Sequence, residues 1–192
     1  MGRNKASLRL GPRTLLGHVR ACAWNSGLPH RVIRRDLVHR CGPMGGVYTA
    51  LATSRAEIIV FLSCDMPFIS ADLVKSLVRR LGRGTQALFV TENGRVGFPF
   101  LLRRATLSIV QQLLVRRQLS LQHLASALRA RTARLPPRRR HELLNINTPE
   151  DWQAARKRWR PGLEISQPGR SQTKWSADSS PVQSSSSLEP EE

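Results

Sequence analysis

An unbroken run of five apolar residues, Ile-Ile-Val-Phe-Leu at positions 58–62, constrains the fold more than any other stretch of this sequence. A strand with one face in water alternates apolar and polar residues, whereas a continuous apolar run is typical of a strand covered on both faces. Both faces are covered when helices pack on either side of a parallel sheet. We therefore predict that residues 58–62 form a fully buried central strand.

Helix-like and strand-like segments alternate along the rest of the chain as far as about residue 160. Helical spacing of apolar residues predicts helices at 13–25, 71–81, 107–118 and 120–130, and short apolar runs predict strands at 31–33, 87–90 and 143–146. Thr148 and Pro149, followed by two acidic residues, predict the start of a last helix. This alternation favours a Rossmann-like, three-layer α/β domain over residues 1–160, with a mostly parallel sheet.

The residues after about 160 differ in composition from the rest. Residues 161–192 are rich in serine and proline, end in Glu-Pro-Glu-Glu and show no apolar periodicity. Such a segment buries too little apolar surface to fold on its own. We predict a disordered tail over residues 161–192, and a partner-binding peptide is the alternative.

The formal net charge is +18, from 31 Lys and Arg against 13 Asp and Glu. A charge of this size attracts polyanions. The arginines are scattered, however, with a single run of three at residues 138–140, and aromatic residues make up only 5% of the chain. Nucleic-acid sites combine clustered charge with aromatic side chains. We predict solvated arginines and no specific nucleic-acid partner, and an anionic small substrate fits the charge equally well.

Cysteine usage and hydropathy indicate a reducing cytoplasm as the compartment. The three cysteines are widely spaced and form no Cys-x-x-Cys pair, which disfavours a disulfide framework or a zinc site. No apolar stretch approaches the roughly 18 residues of a membrane span, and the N-terminus lacks the apolar core of a secretory signal. We expect no membrane partner.

Three places are candidates for chemistry, because ligands of parallel sheets bind at the carboxyl ends of strands. Asp65 follows the predicted central strand, where a carboxylate can hold Mg²⁺ together with waters and phosphates; a loop carboxylate that only caps the next helix is an equal alternative. The glycine-rich residues 42–46 follow Asp36 and allow close approach of a phosphate, although a plain turn is the alternative. Lys5 is either a phosphate-binding point charge or a solvated terminal residue.

Four motifs in this order resemble those of the molybdenum cofactor guanylyltransferase family, within the nucleotidyltransferases. Residues 1–6 (Met-Gly-Arg-Asn-Lys-Ala) are similar to the end of its N-terminal signature, and residues 42–46 (Gly-Pro-Met-Gly-Gly) to its Gly-Pro-Leu-Gly-Gly segment. Residues 64–68 resemble its Cys-Asp-Met-Pro-Phe, and residues 145–151 its Asn-x-Asn-Thr-Pro-Glu-Asp. The resemblance covers about residues 1–156 and implies a fold of the nucleotide-diphospho-sugar transferase type.

The resemblance implies Mg²⁺-dependent transfer of GMP from GTP to molybdopterin, or to its molybdenum form, with release of pyrophosphate. It also implies molybdoenzymes or other cofactor-biosynthesis proteins as partners. Lys5 and Asp65 would be the catalytic residues, with Asp65 also the Mg²⁺ ligand. The implied nucleotide-binding residues are Lys5, Asp36, Gly45, Gly46 and Asp65, and the implied residues on the pterin side are Asn145 and Asn147.

The sequence departs from the family pattern in three ways. It begins inside the N-terminal signature, without the family's first strand and Gly-rich loop, and it has no counterpart of a further strand and helix before residue 32. Phe98-Pro99 stands where the family often has His-Pro, so no catalytic role is assigned there. We therefore expect the chain as given to bind GTP poorly and to be weakly active or inactive, with Met1 an internal methionine. The alternatives are a nucleotidyltransferase that uses CTP or a sugar phosphate, and an inactive truncated homologue.

Overall fold

The computed structural model describes residues 5–159; the predicted tail lies outside them. The helices are α1 (Leu15–Asn25), α2 (Pro43–Thr53), α3 (Ala71–Arg80), α4 (Leu107–Val115), α5 (Leu121–Ala127) and α6 (Pro149–Arg158). The strands are β1 (Arg9–Leu10), β2 (Arg13–Thr14), β3 (Ile58–Phe61), β4 (Ala87–Glu92), β5 (Arg95–Arg103) and β6 (Arg131–Arg134). Short 3₁₀ helices span Lys5–Ser7, Arg104–Thr106 and Pro137–Leu143.

The main sheet has four strands in the order β3-β5-β4-β6. Strand β5 is antiparallel to both β3 and β4, and β6 is parallel to β4. Strands β3, β4 and β6 therefore run in one direction, and β5 is inserted between them in the opposite direction. The predicted α/β class is confirmed, with a mixed sheet in which one strand is reversed.

Helices cover both faces of this sheet and give the predicted three layers. One apolar cluster packs α1 and α3 against one face, around Leu77, Leu88 and Leu101. A second cluster packs α2, α4 and α5 against the other face, around Leu51, Phe89 and Phe100. Within residues 5–159, no helix combines the length and the apolar character that a membrane crossing needs.

The prediction for β3 is half right. Both faces of the strand are packed, since Ile58 and Val60 belong to one cluster and Ile59 and Phe61 to the other. The predicted central position is wrong, because β3 lies at the edge of the four-stranded sheet and pairs with β5 on one side. Residues 58–60 are consequently only half-buried. An apolar run indicates that both faces of a strand are covered, but it does not indicate whether the strand pairs with one or with two neighbouring strands.

Strand β5 occupies a central position that the sequence patterns did not predict. It contains Gly97 and Pro99, which are both depleted in strands because one lacks a side chain to pack and the other lacks an N–H to donate. The ladder accommodates them at a bulge, where its register shifts between Phe89 and Val90. Beyond the bulge, Phe100 stacks on Phe61 and Phe89 at ring-centroid distances of 4.7 and 4.6 Å.

Two other predicted strands are absent from the described residues. Residues 31–33 are irregular, and Arg31 instead bonds the end of α2 through the carbonyl of Ala50 and the hydroxyl of Thr53. No strand between residues 5 and 159 pairs with this segment, so an extended conformation would gain no ladder hydrogen bonds there. Residues 143–146 complete a 3₁₀ helix and an irregular turn, in which Ile146 is fully buried.

A third apolar cluster joins the two ends of the described chain. Leu10 and Leu15, from the β1–β2 hairpin and α1, pack against Ile146 and the α6 residue Ala155. The α6 helix begins after Thr148, as its sequence predicts, and the structure adds a capping box between Thr148 and Asp151. This docking brings the segment before α6 next to Lys5.

Candidate functional site

Asp65 lies in the loop that connects β3 to α3. Its backbone carbonyl accepts a hydrogen bond from the N–H of Ile146 at 2.9 Å, which joins this loop to the segment before α6. The carboxylate atom Oδ1 of Asp65 is buried and has no hydrogen-bond partner among the described residues. A buried polar atom without a partner costs about 1–3 kcal/mol. Such an atom is typical of a group that binds a ligand.

Lys5 reaches the same segment from the start of the chain. Its Nζ atom donates to the backbone carbonyl of Asn147 at 3.0 Å and to the side-chain Oδ1 of Asn147 at 3.3 Å. Its positive charge also acts on the thiol of Cys64 and on the carboxylate of Asp151. Lys5, Asp65 and Asn147 therefore belong to one group, although Lys5 and Asn147 are 142 residues apart in sequence.

Asp36 lies against the first turn of α2. A methyl group built on Gly45 would lie 2.6 Å from Oδ2 of Asp36, and one built on Gly46 would lie 3.7 Å from Oδ1. The Thr49 hydroxyl fixes this approach, since it accepts from the N–H of Leu37 at 2.9 Å and donates to the carbonyl of Gly45 at 2.8 Å. Gly45 thus gives space to a carboxylate, which is favourable near a helix N-terminus.

The sequence-derived candidates fall into two groups in the structure. Asp36, Gly45 and Gly46 form one, and Lys5, Asp65 and Asn147 form the other. No hydrogen bond between described residues links the two groups directly. Asn145 is exposed, two residues from Asn147, and lines a cavity of about 660 Å³ beside the 3₁₀ helix Pro137–Leu143.

A buried carboxylate that the sequence patterns did not indicate holds this region together. Glu142 is 5% exposed, and its Oε2 accepts from the Ser70 hydroxyl at 2.7 Å and from the Ser70 N–H at 3.1 Å. Arg139 Nε donates to Oε1 of Glu142 at 2.5 Å. Burial by itself raises the pKa of Glu142, but the hydrogen bonds from Arg139 and Ser70 together hold that pKa below its ordinary value. The N-cap of α3 is thereby tied to the segment that precedes Asn145.

The Asp151 carboxylate completes the turn on which Asn147 sits. Its Oδ2 accepts from the N–H groups of Thr148 at 2.9 Å and of Asn147 at 3.0 Å. These two backbone hydrogen bonds lower the pKa of Asp151. The turn is therefore held by an ionised carboxylate, which leaves the side chain of Asn147 to face Lys5.

The residues around Asp65 fit a hard, water-carrying cation held by a single protein carboxylate. Among residues 5–159, no three or more His, Cys, Asp and Glu side chains gather as a metal cage. Burial and the negative charge of Asp65 raise the pKa of the Cys64 thiol, so the neighbouring cysteine stays protonated and is a poor ligand. Mg²⁺ keeps several waters and binds through one or two carboxylates and substrate phosphates, and this donor set suits it.

Sequence comparison relates most of the chain to nucleotidyltransferases. Residues 1–134 match the family model described as "MobA-like NTP transferase domain". A relative from Opitutus terrae, named "Probable molybdenum cofactor guanylyltransferase", is 30% identical over 173 residues, which cover 79% of this chain and 86% of the relative. A "Molybdenum cofactor guanylyltransferase" from Acinetobacter baumannii is 34% identical over 95 residues, which cover 48% of this chain and 46% of the relative. The second alignment spans about half the length of either protein.

Structural comparison gives the same fold. "Molybdopterin-guanine dinucleotide biosynthesis protein A" from Archaeoglobus fulgidus superposes with a TM-score of 0.61, covering 81% of this chain and 90% of that chain at 18% identity. At this identity the likeness concerns the fold alone. The match extends past residue 134, where the family model ends, because it covers 81% of a chain of 192 residues.

Proposed function

The chain belongs to the MobA-like NTP transferase family of nucleotidyltransferases, and from this premise we propose that it is a molybdenum cofactor guanylyltransferase. The proposed reaction transfers GMP from GTP to molybdopterin, or to its molybdenum form, and releases pyrophosphate. The product is a dinucleotide cofactor for molybdoenzymes, which are the proposed downstream partners. A cytoplasmic location is part of the proposal, because the three cysteines are free thiols and suit a reducing compartment.

The observation that carries the proposal is the convergence of three distant motifs. Lys5, Asp65 and Asn147 come from the start, the middle and the end of the domain, and hydrogen bonds connect the segments that bear them. The group offers one cation, one buried carboxylate atom without a partner and one side-chain amide. These are the groups that a phosphate, a metal ion and a heterocycle require, respectively.

The proposed chemistry needs no general base, because the terminal phosphate of molybdopterin is already an anion at neutral pH. One of its oxygens attacks the α-phosphorus of GTP and forms a new P–O bond. The bond from the α-phosphorus to the α,β-bridging oxygen breaks, and pyrophosphate leaves with that electron pair. The protein contributes positioning and charge stabilisation, which dominate phosphoryl-group transfers of this kind.

Each residue of the group has a role in this proposal. Among the described residues, Asn147 accepts two hydrogen bonds from the ammonium group of Lys5, and the third N–H donor would bind a phosphate oxygen. Asp36, held over Gly45, is an acceptor for nucleoside hydroxyl or N–H groups. Asn145 and Asn147 are assigned to the pterin side, where an amide both donates to and accepts from a heterocycle.

Asp65 is the residue that would hold Mg²⁺, through its Oδ1 atom. The bound ion supplies charge neutralisation for the phosphates of the nucleotide. Around it, the backbone of Asp65 stays fixed by the N–H of Ile146, so the carboxylate keeps its direction. The net charge of +18 accelerates the encounter with two anionic substrates.

A two-part experiment tests the proposal. The thermal unfolding midpoint is measured with Mg²⁺ and each of GTP, CTP, ATP and UTP, and product formation is then followed with molybdopterin by detecting pyrophosphate. Because the chain as given is expected to bind GTP weakly, the proposal expects a small GTP-dependent shift that still exceeds the shifts with CTP, ATP and UTP. Pyrophosphate is expected only with GTP and at a low rate. A larger shift with CTP would favour a cytidylyltransferase instead.

The same experiment distinguishes an inactive homologue. A GTP-dependent shift without pyrophosphate release would indicate that the chain binds nucleotide and does not transfer it. No shift with any of the four nucleotides would overturn the proposed function for this chain. The Asp65→Asn variant is the control, since it should lose the Mg²⁺-dependent part of the shift.

A further inference from the structure

The run of three arginines at residues 138–140 is divided by the 3₁₀ helix that contains it. Arg139 turns inward, where it donates to Glu142 and to the hydroxyl of Ser70. Arg138 and Arg140 are exposed and line the cavity of about 660 Å³. Arg158, from the last turn of α6, lines the same cavity. Three arginines from two elements therefore line one cavity.

These guanidinium groups have no carboxylate partners among residues 5–159. The ion pairs within that part of the chain are Arg103 with Glu57 and Arg139 with Glu142. The cavity is also lined by the carboxylates of Glu92 and Asp151. Asp151 is already engaged by the backbone N–H groups at the start of α6. The unpaired charge in the cavity is thus predominantly positive, which suits an anion.

The size and the chemistry of the cavity define the class of anion. Arginine presents a planar fork of N–H donors that matches the oxygens of a phosphate. A volume of about 660 Å³ lies within the range of roughly 300–1,000 Å³ that holds whole organic ligands. Asn145, on the wall of the cavity, adds an amide for a polar heterocycle. The ligand that fits is an organic phosphate that carries a ring system.

We propose that this cavity is a binding site for a phosphate monoester attached to a heterocycle, with Arg138 and Arg140 as its phosphate-binding residues and Arg158 beside them. The identification of this ligand with the acceptor substrate rests on the proposed function. The anion site itself rests only on the cavity and its arginines. Asn145, at the wall, lies two residues from Asn147, which contacts Lys5, so the site adjoins the nucleotide group.

A matched pair of fluorescent probes tests the site in the full chain. Flavin mononucleotide and riboflavin share a ring system that contains a pteridine, and they differ by one phosphate monoester. Wild-type protein should bind the phosphorylated probe at least about tenfold more tightly, as expected for charge-assisted hydrogen bonds. The Arg138→Ala/Arg140→Ala variant should lose most of this preference. The Arg79→Ala/Arg80→Ala variant removes the same charge from the exposed end of α3 and should keep it.

Several results would overturn the proposal. They are equal binding of the two probes by the wild type, no binding of either probe, and an unchanged preference in the Arg138→Ala/Arg140→Ala variant. Displacement of flavin mononucleotide by saturating Mg²⁺-GTP would place the probe in the nucleotide site and would also overturn it. The thermal shift with Mg²⁺-GTP is recorded on the same samples. Loss of that shift with the probe preference intact contradicts the proposed function and leaves the cavity assignment standing.

Discussion

At the scale of single residues, Asp65 combines an unfavourable environment with a favourable position. Its Oδ1 atom is buried without a hydrogen-bond partner among the described residues, although the loop around it is well fixed. A buried acceptor without a hydrogen-bond partner lowers the stability of the fold. Folding alone therefore gives no reason for a carboxylate at this position. In the proposed function, a bound Mg²⁺ would be the missing partner of this atom.

The variant Asp65→Asn tests this explanation. It keeps the size of the side chain and removes the charge, so we expect the Mg²⁺-dependent part of the GTP thermal shift to disappear. The free energy of unfolding without ligand should stay equal or rise slightly. Asp72→Asn, at an exposed position in the first turn of α3, is the control. A variant at Asp65 that retains the full Mg²⁺-dependent shift would exclude Asp65 as the metal-binding residue.

The two glycines at the start of α2 offer a second comparison at this scale. A methyl group at Gly45 would lie 2.6 Å from the Asp36 carboxylate and 3.1 Å from the carbonyl of Val38, whereas one at Gly46 would meet Asp36 at an ordinary 3.7 Å. Gly45→Ala should therefore displace Asp36 and weaken nucleotide binding by roughly tenfold, the loss of one charged hydrogen bond. Gly46→Ala should have little effect. Isothermal titration with Mg²⁺-GTP measures both, and equal affinities of the two variants would contradict the assigned role of Asp36.

Some of these residues could be read from the sequence and others could not. Asp65 was visible because it follows an apolar run, and Lys5, Asp36 and Asn147 because they sit in motifs that resemble a family. Glu142 carried no local signal, since its burial depends on Ser70, which is 72 residues away. The arginine run at 138–140 was visible, but which of its members turns inward depends on that same tertiary contact.

At the scale of elements, the Glu142 cluster connects α3 to the 3₁₀ helix Pro137–Leu143. Ser70 is the N-cap of α3, and its hydroxyl accepts from the N–H of Leu73. The hydroxyl and the N–H of Ser70 both donate to the carboxylate of Glu142. The loop that carries Asp65 ends at this cap, and the segment that carries Asn145 begins after Glu142. One carboxylate thereby fixes the spacing between two loops of the candidate site.

The variant Glu142→Gln should lower the free energy of unfolding at pH 7 by about 1–3 kcal/mol, because charged hydrogen bonds to Arg139 and Ser70 are weakened. The native pKa of Glu142 lies below its ordinary value of 4.5, so its stabilisation is present above that pH. This stabilisation is lost as the pH falls through the native pKa. Urea unfolding at pH 7, 5 and 3.5 should show the gap between wild type and variant closing in acid. Glu150→Gln, at an exposed position, is the control, and a gap that stays constant with pH would refute the mechanism.

Elements that are formed by local contacts can be predicted from the sequence, whereas elements that depend on distant contacts cannot. Helices α3 and α6 are predictable because their signals are local: Ser70 and Thr148 each accept from an N–H group three residues away. Strand β5 was missed, although Asn93-Gly94 before it, at φ of 49° and 76°, is a strong hairpin signal. Gly97 and Pro99 disfavour a strand in the sequence pattern, and the bulge against β4 accommodates them in the structure.

At the scale of the whole molecule, the candidate site depends on the two ends of the domain meeting. The third apolar cluster packs the β1–β2 hairpin against α6. Lys5 and Asn147 come into contact beside this packing interface. The order of strands in the main sheet also arises at this scale. No local pattern specified that β5 would separate β3 from β4, because pairing between distant strands depends on the whole fold.

The packing interface itself can be tested by a double-mutant cycle between Gly11 and Trp159. A methyl group on Gly11 would lie 2.3 Å from Nε1 of Trp159, and Gly11 has a φ of +61°. Gly11→Ala should therefore destabilise the protein in two ways. It adds backbone strain of roughly 1 kcal/mol, and it displaces the indole of Trp159. That indole also packs edge-on against His18, with 4.8 Å between the ring centroids. Trp159→Ala should destabilise the protein by about 1–3 kcal/mol, since the side chain is only partly buried. In the double variant the clash is gone, so the loss in free energy of unfolding should be smaller than the sum of the two single losses by about 1 kcal/mol.

Gly84→Ala is the control for strain alone, because Gly84 has a φ of +82° and open space around it. Additive losses in urea unfolding would show that α6 does not dock on the hairpin through this contact, and the proximity of Lys5 to Asn147 would then need another cause.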